Sequence, residues 1–438
     1  MRTFVRILMG LVVLGGVALL AFIAIPVQRS GPVQALPADW RPEPGQGEYA
    51  MRIADCAACH TAPDGRQFAG GREINSPVGI IVSPNITPDD ETGIGTWSLE
   101  DFRAALYDGV KPDGTHLYPA MPYENYRKLT EEDVRALYHY FMDEVEPIRN
   151  AIKPSDLPFP FDQRWGLRAW KWVALQDDPG FRPSTDDPVL ARGEYLVEGP
   201  GHCNACHGPR DLVMAQDALD VTQDAFLSGG EIDGWTAPAL RGPNSAIGDW
   251  SAEDIGMILA TGRNAHAAIN GEMQLVVRDS TQFMTEEDLY AISSLLVSLN
   301  GGPDPAERPK NDTETEALIA SADPGMPLGA RLYIDNCNAC HFADGLGADE
   351  VFPELAGNAL VTADSPTGLI SMILAGSELP STPIRPYALR MPGFADRLTD
   401  AEVAALATFV RQGWTNTAGP VAESAVSDLR GETKTEVE

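Results

Sequence analysis

Cys56-Ala57-Ala58-Cys59-His60, Cys203-Asn204-Ala205-Cys206-His207 and Cys337-Asn338-Ala339-Cys340-His341 repeat one pattern and use every cysteine in a chain of 438 residues. The sequence holds 6 Cys and 7 His, a supply from which chance would assemble about 0.001 such segments. No thiol is left for a disulfide, so the chain is not a disulfide-stapled scaffold. Zinc needs four ligands, and each copy offers three, one of them crowded beside a cysteine. A redox-active dithiol needs a βαβ setting that the flanking sequence does not supply. The pattern suits a haem, whose vinyl groups take up the two thiols while the next imidazole binds the iron. Three covalently bound haem c groups are therefore expected. Cys56 and Cys59, Cys203 and Cys206, and Cys337 and Cys340 are the tethers, with His60, His207 and His341 as proximal ligands.

Outward from these segments the chain repeats itself three times. A short Gly-and-Tyr segment precedes each motif: Gly47-Glu48-Tyr49, Gly193-Glu194-Tyr195, and Gly329 followed by Tyr333. Each repeat closes on a capping Thr with an acid three residues on, ahead of helical apolar spacing. The pairs are Thr130 and Asp133, Thr285 and Asp288, Thr399 and Glu402. The first two repeats also share Ile94-Gly95-Thr96-Trp97-Ser98 and Ile247-Gly248-Asp249-Trp250-Ser251, which the shorter third lacks. Strand signals are few and short, so the chain reads as mostly α-helical. The repeats are placed at 41–150, 191–300 and 327–416. Residues 151–190, with Trp165, Trp170 and Trp172, are too aromatic for a free linker and are expected to pack on a neighbour. Residues 301–326 read as a true linker, and the small, acidic 417–438 as a tail without order.

Arg2 and Arg6 precede an uncharged stretch from Ile7 to Val27, long enough to span a bilayer. The flanking arginines favour a cytoplasmic N-terminus. Residues 1–30 are read as a signal anchor, or as a signal peptide cut near Val33-Gln34-Ala35. Either reading sends the rest to the periplasmic side of a bacterial inner membrane. The 63 acidic residues against 32 basic ones give a formal charge of −31, which repels phosphate backbones and argues against nucleic acid as a partner.

The second axial position of each iron decides between electron transfer and ligand chemistry. Met121, in Pro119-Ala120-Met121-Pro122, and Met391, in Arg390-Met391-Pro392-Gly393, occupy one place in two repeats. The second repeat offers Met273, in Gly271-Glu272-Met273, with Met284, Met257 and His266 as rivals. A lone methionine near a helix is ordinarily core filler; recurrence of Met-Pro argues otherwise. His116, His139 and His202 read as surface or structural groups.

The chain resembles the three-haem cytochrome c subunits of bacterial membrane-bound alcohol, gluconate, sorbitol and fructose dehydrogenases. The likeness spans nearly all of 45–416. It rests on Asn85-Ile86-Thr87-Pro88, Glu91-Thr92-Gly93-Ile94-Gly95, Leu117 through Tyr123, Gly201 through Arg210, Val276-Val277 and Met391 through Ala395. The resemblance implies an all-α chain of three tandem class I cytochrome c domains after an N-terminal membrane segment. It implies the axial pairs His60 with Met121, His207 with Met273, and His341 with Met391. It also implies a catalytic partner carrying flavin or pyrroloquinoline quinone, with electrons leaving to ubiquinone or a terminal oxidase. Two departures stand out: Gly413-Trp414-Thr415-Asn416 lacks the usual glycine after the tryptophan, and the tail lacks the membrane-binding amphipathic helix of some relatives. The expected role is a subunit without substrate chemistry of its own. The alternatives are a multi-haem peroxidase with one open iron, which unit two would have to supply, and a stand-alone periplasmic relay.

Overall fold

Three opening helices, Gln46–Ile53, Pro188–Glu198 and Leu328–Asn336, cross three closing helices, Glu131–His139, Glu286–Leu299 and Asp400–Gln412. The chain is known from a computed structural model that describes residues 2–24, 28–175, 177–232, 234–302 and 313–435. A glycine marks each crossing. A Cβ at Gly47 would lie 2.6 Å from the carbonyl oxygen of Ala136, one at Gly193 2.4 Å from that of Ala291, and one at Gly329 2.2 Å from that of Ala405. The helices approach so closely only where one of them lacks a side chain, which is why the Gly-and-Tyr segment recurs.

Between opening and closing helix each unit places its motif turn, Cys56–His60, Asn204–His207 or Asn338–His341, and a middle helix, Leu99–Asp108, Ala252–Thr261 or Thr367–Ala375. The shared Trp-Ser segment explains itself here: Ser98 and Ser251 each open a middle helix with a complete capping box, closed by Asp101 and Asp254. Each unit has its own core. Met51, Tyr107, Leu137 and Phe141 centre the first, Leu196, Phe226 and Leu295 the second, and Tyr333, Ile370, Leu406 and Trp414 the third. The few strand signals become three two-stranded antiparallel ribbons among the described residues, so the chain is helix-rich and not purely helical.

Units one and two grip each other reciprocally. The Tyr49 hydroxyl donates to Asp288 Oδ2 at 2.5 Å and accepts from the Thr285 N–H at 3.2 Å. In mirror image, Tyr195 donates to Asp133 and accepts from the Thr130 N–H. Ile53 of the first opening helix is buried in the second unit's core. The third unit meets the second through the Glu350 and Glu354 N–H groups, which donate to the Asn264 and His266 carbonyls, and through Gln274 Nε2, which donates to Ser377 Oγ.

The segments between and after the units differ in part from expectation. The connector does pack on unit one: Asp156 exchanges backbone hydrogen bonds with Ile80, Leu157 is buried, and Trp170 meets Tyr123 edge-to-face at 6.0 Å. In 301–326, residues 303–312 lie outside the described part, but Thr313–Ser321 is a helix whose Ile319 enters the third core. The acidic tail is ordered where disorder was expected. Helix Glu423–Thr435 docks Val426 on the third unit, and Arg430 clamps Asp400, Ala395 and Leu398. A few apolar side chains at helical spacing and one forked cation outweigh the polar composition. At the other end Arg2–Ala24 is a helix long and apolar enough to cross a membrane.

Candidate functional site

Three histidines, each immediately after a cysteine, are oriented in the same way. His60 Nδ1 lies 2.8 Å from the Pro84 carbonyl oxygen, His207 Nδ1 2.8 Å from that of Pro238, and His341 Nδ1 3.0 Å from that of Pro353. A carbonyl only accepts, so Nδ1 carries the proton and the Nε2 lone pair is left for a metal. Burial lowers the pKa of all three imidazoles, which favours the neutral, ligating form. The chain beyond the motif turn folds back alike in the first two units: the Gly70 and Gly229 N–H groups donate to the His60 and His207 carbonyls, both at 2.7 Å. At Gly70 the backbone has φ +69°, and a Cβ would lie 2.4 Å from Pro84, the very residue that orients His60.

The six cysteines stand in pairs beside these imidazoles, none in a disulfide. Burial pushes the Cys59 and Cys203 thiols up to about 12 and that of Cys206 to about 11. Such sulfurs stay protonated at neutral pH in this setting. The residues present therefore fit a covalently held haem: paired sulfurs, a neutral imidazole with its free nitrogen fixed by a backbone acceptor, and an apolar wall.

The methionines occupy three different local structures. Met121 sits in the turn before Tyr123–Tyr126, Met391 in a ribbon opposite Ser377, and Met273 at the first position of helix Met273–Asp279. Met121 and Cys56 both line the first core, and Met391 and Cys337 both line the third. In unit two the sharing fails: Cys203 lines the second core with Met284, whereas Met273 packs on Ile269, Val277 and Leu379. Met284 is nonetheless in a filler position, because it precedes its capping Thr just as the buried Leu129 and Leu398 do in the other units. His266 is stacked on Trp250, with centroids 5.4 Å apart, and lies near Asp254 and Glu354. The remaining histidines are engaged too: His116 with Lys171, His139 with Asp143, and His202 against Tyr126.

Two features escaped the sequence. The proline carbonyls follow their histidines at separations of 24, 31 and 12 residues, so no fixed spacing announces them. Arg72 ties the first motif to the second unit, donating to the Ala58 carbonyl at 2.7 Å and to Glu272, the neighbour of Met273, at 2.6 Å. Beside it Asp55 is buried at the junction, its carboxyl held well above the usual range by desolvation.

The cytochrome c family model matches residues 43–143 and 327–414. The chain is 44% identical over 390 residues to the cytochrome c subunit of a quinone-dependent alcohol dehydrogenase from Gluconobacter oxydans, covering 88% of this chain and 81% of that one. It is 43% identical over 395 residues to the cytochrome c subunit of a gluconate 2-dehydrogenase from Pantoea cypripedii, covering 88% and 89%. It is 36% identical over 424 residues to the cytochrome subunit of a fructose dehydrogenase from Gluconobacter japonicus, covering 92% and 86%. The chain belongs to the cytochrome c subunits of these dehydrogenases. Membership in the cytochrome c family brings covalently bound haem c, and the two family segments of this cytochrome c subunit contain the first and third motifs with Met121 and Met391. The second motif falls between them, inside the span aligned with all three relatives.

Proposed function

We propose that this cytochrome c subunit is the electron-transfer component of a dehydrogenase on the periplasmic side of the bacterial inner membrane. It takes electrons from a catalytic subunit, carrying flavin or pyrroloquinoline quinone, that oxidises an alcohol or sugar. It delivers them to ubiquinone or a terminal oxidase. Three cytochrome c domains, 41–150, 191–300 and 327–416, each hold one haem. The observation that carries the reading is the threefold hydrogen bond from a motif histidine to a prolyl carbonyl, repeated on three backbones of different loop length.

The chain's own work is binding and tuning. The cysteine pairs would tether haem, His60, His207 and His341 would present Nε2 to its iron, and Met121, Met273 and Met391 would supply thioethers. Haem supplies a one-electron couple, and thioether ligation sets it high enough to accept from an organic-substrate dehydrogenase. Mass measurement of the exported chain should show three added porphyrins, and the oxidised spectrum only low-spin His/Met iron. Bare thiols would end the proposal. Reduction on mixing with a purified catalytic subunit and its substrate tests the electron-transfer role directly.

One observation favours a second reading, a peroxidase with an open iron in unit two: Met273 packs apart from the core that Cys203 lines. Met273→Ala discriminates. If Met273 is the ligand, one haem in three turns high-spin and Met284→Leu changes nothing; if the haem is already open, the unsubstituted chain shows that high-spin third and reacts with peroxide.

A further inference from the structure

Four of the nine exposed large aromatic side chains among the described residues lie in the connector. Phe159 is 81% exposed, Trp172 67%, Val173 52%, Phe161 50% and Trp165 40%. Isolated exposed apolar residues need no explanation, but a run of them on one short segment does. The local charge is also unlike the rest of the chain. Between Asp162 and Asp177 the segment holds Arg164, Arg168 and the buried Lys171 and no acid, in a protein of net charge −31.

What lies next to this surface identifies its occupant. Phe22, at the end of the apolar helix Arg2–Ala24, stands edge-on to Trp165 at 6.3 Å and to Trp172 at 5.2 Å. Arg168 donates to the Phe22 carbonyl at 2.8 Å. The helix therefore ends among the connector's tryptophans. Past it the chain is pinned to unit one almost at once: Arg29 pairs with Asp101 at 2.7 Å, and Ser30 bonds Asp108. Arg29 follows Ala24 by five positions, a reach of at most about 18 Å, so a bilayer holding the helix would lie against this face of unit one. The mature chain would keep this helix, since a cut near Ala35 would discard residues 29–33, which bond and pack on unit one. On the far side, Trp170 Nε1 donates to the Val213 carbonyl at 2.8 Å, setting the fully exposed Leu212 beside the platform.

We propose that residues 159–173, with the loop at Leu212, form a second membrane contact that lies in the phospholipid headgroup region at the end of the Arg2–Ala24 helix. Tryptophan and phenylalanine favour that depth, and the arginines complement anionic phosphate. Two attachments fix what one helix cannot, the orientation of unit one relative to the membrane plane. The proposal rests on the reading of the N-terminal helix as a membrane segment.

The test is photolabelling of the haem-loaded full chain in phosphatidylethanolamine–phosphatidylglycerol vesicles whose acyl chains carry a diazirine next to the glycerol, with labelled peptides found by mass spectrometry. Label on 159–173 and around Leu212, besides 2–24, is expected. Trp172→Glu with Val173→Glu should lower the connector label about tenfold and leave that on 2–24 unchanged. Phe159→Ser, at the most exposed side chain of the connector, repeats the test in case the pair disturbs folding, which an unchanged haem spectrum excludes. Label confined to 2–24 overturns the proposal, as does connector label that the substitutions do not alter. So does a connector shielded only when the catalytic subunit is added, which would make it a protein-docking face. Haem content and reducibility are read on the same sample, so a failure of the electron-transfer reading is seen separately.

Discussion

Replacing the crossing glycines with alanine tests whether close helix approach is what holds each unit together. An added Cβ would lie 2.6 Å from a helix carbonyl at Gly47, 2.4 Å at Gly193 and 2.2 Å at Gly329, with a second clash at 2.7 Å on Phe409 Cβ in the last case. Comfortable separation is roughly 3.5 Å, so the helices must part by about 1 Å. The obstacle is backbone in a hydrogen-bonded helix, which cannot rotate away. Overpacking of this kind costs about 1–3 kcal/mol, against roughly 1 kcal/mol gained from alanine's better helix propensity. At Gly329 the steric cost is at the top of its range, leaving a net loss of about 2 kcal/mol; at Gly47 the loss is nearer 1 kcal/mol. For a unit of this size about 2 kcal/mol lowers Tm by roughly 8–16 °C. The assay is thermal unfolding of the haem-loaded chain followed in the haem absorbance, with Gly166→Ala as control, since nothing lies within 4 Å of a Cβ there. If Gly329→Ala unfolds within 2 °C of that control (roughly the smallest resolvable shift), or if the order Gly329, Gly193, Gly47 is reversed, the steric argument is wrong.

Other contacts give further expected outcomes. Glu131 is fully buried between Arg103, at 2.5 Å, and Arg135, at 3.0 Å, so Glu131→Ala should cost about 3–5 kcal/mol by leaving buried charge unpaired. Arg149→Ala, which breaks an exposed pair with Glu91, should cost under about 1 kcal/mol in the same denaturant titration. Lys171 is buried, its ammonium donating to the Asp108 and Gly109 carbonyls, and burial pulls its pKa down to about 7. Between that value and about 10.4 the unfolded chain binds this proton more tightly than the folded one, so stability should climb with pH across the window, and Lys171→Met should flatten the climb. Tyr195→Phe removes a donor to Asp133 and an acceptor for Thr130. It should cost about 1.5–3 kcal/mol, with Tyr49→Phe similar and the two coupled in a double-mutant cycle.

Much of the fold and most of the site were legible because they are local. C-x-x-C-H is a covalent requirement, and the threonine caps of the three closing helices follow from spacing alone. Met121 and Met391 stand out as candidates by a recurring Met-Pro. The prolyl carbonyls do not, since any backbone can accept a hydrogen bond and the loops that deliver them vary in length. Arg72 and Glu272 lie 200 residues apart, and only packing of unit one on unit two makes them neighbours. The tail misled for a related reason: Val421, Val426 and Leu429 are few, and their worth depends on a groove that sequence does not display.

The reciprocal tyrosines show how a repeat diverges. In the third unit Thr399 and Glu402 complete a capping box, the glutamate accepting from the Thr399 N–H at 2.8 Å. In the first two units that role passes to the neighbour: the tyrosine hydroxyl takes the threonine N–H, and the aspartate turns outward to accept from the tyrosine. Asp101 and Asp254 close such boxes themselves in the middle helices, so here the tyrosine hydroxyl has taken a place that an aspartate can fill. Two residues after its crossing glycine the third unit carries an exposed Arg331 in place of tyrosine, while Tyr333 points inward to the Phe342 carbonyl at 2.6 Å. Its cap is self-sufficient because no partner unit presents a hydroxyl. The paired units thus depend on each other for helix ends that the third supplies for itself, and the difference is written in the residue two positions after the crossing glycine, a tyrosine at Tyr49 and Tyr195 and an arginine at Arg331.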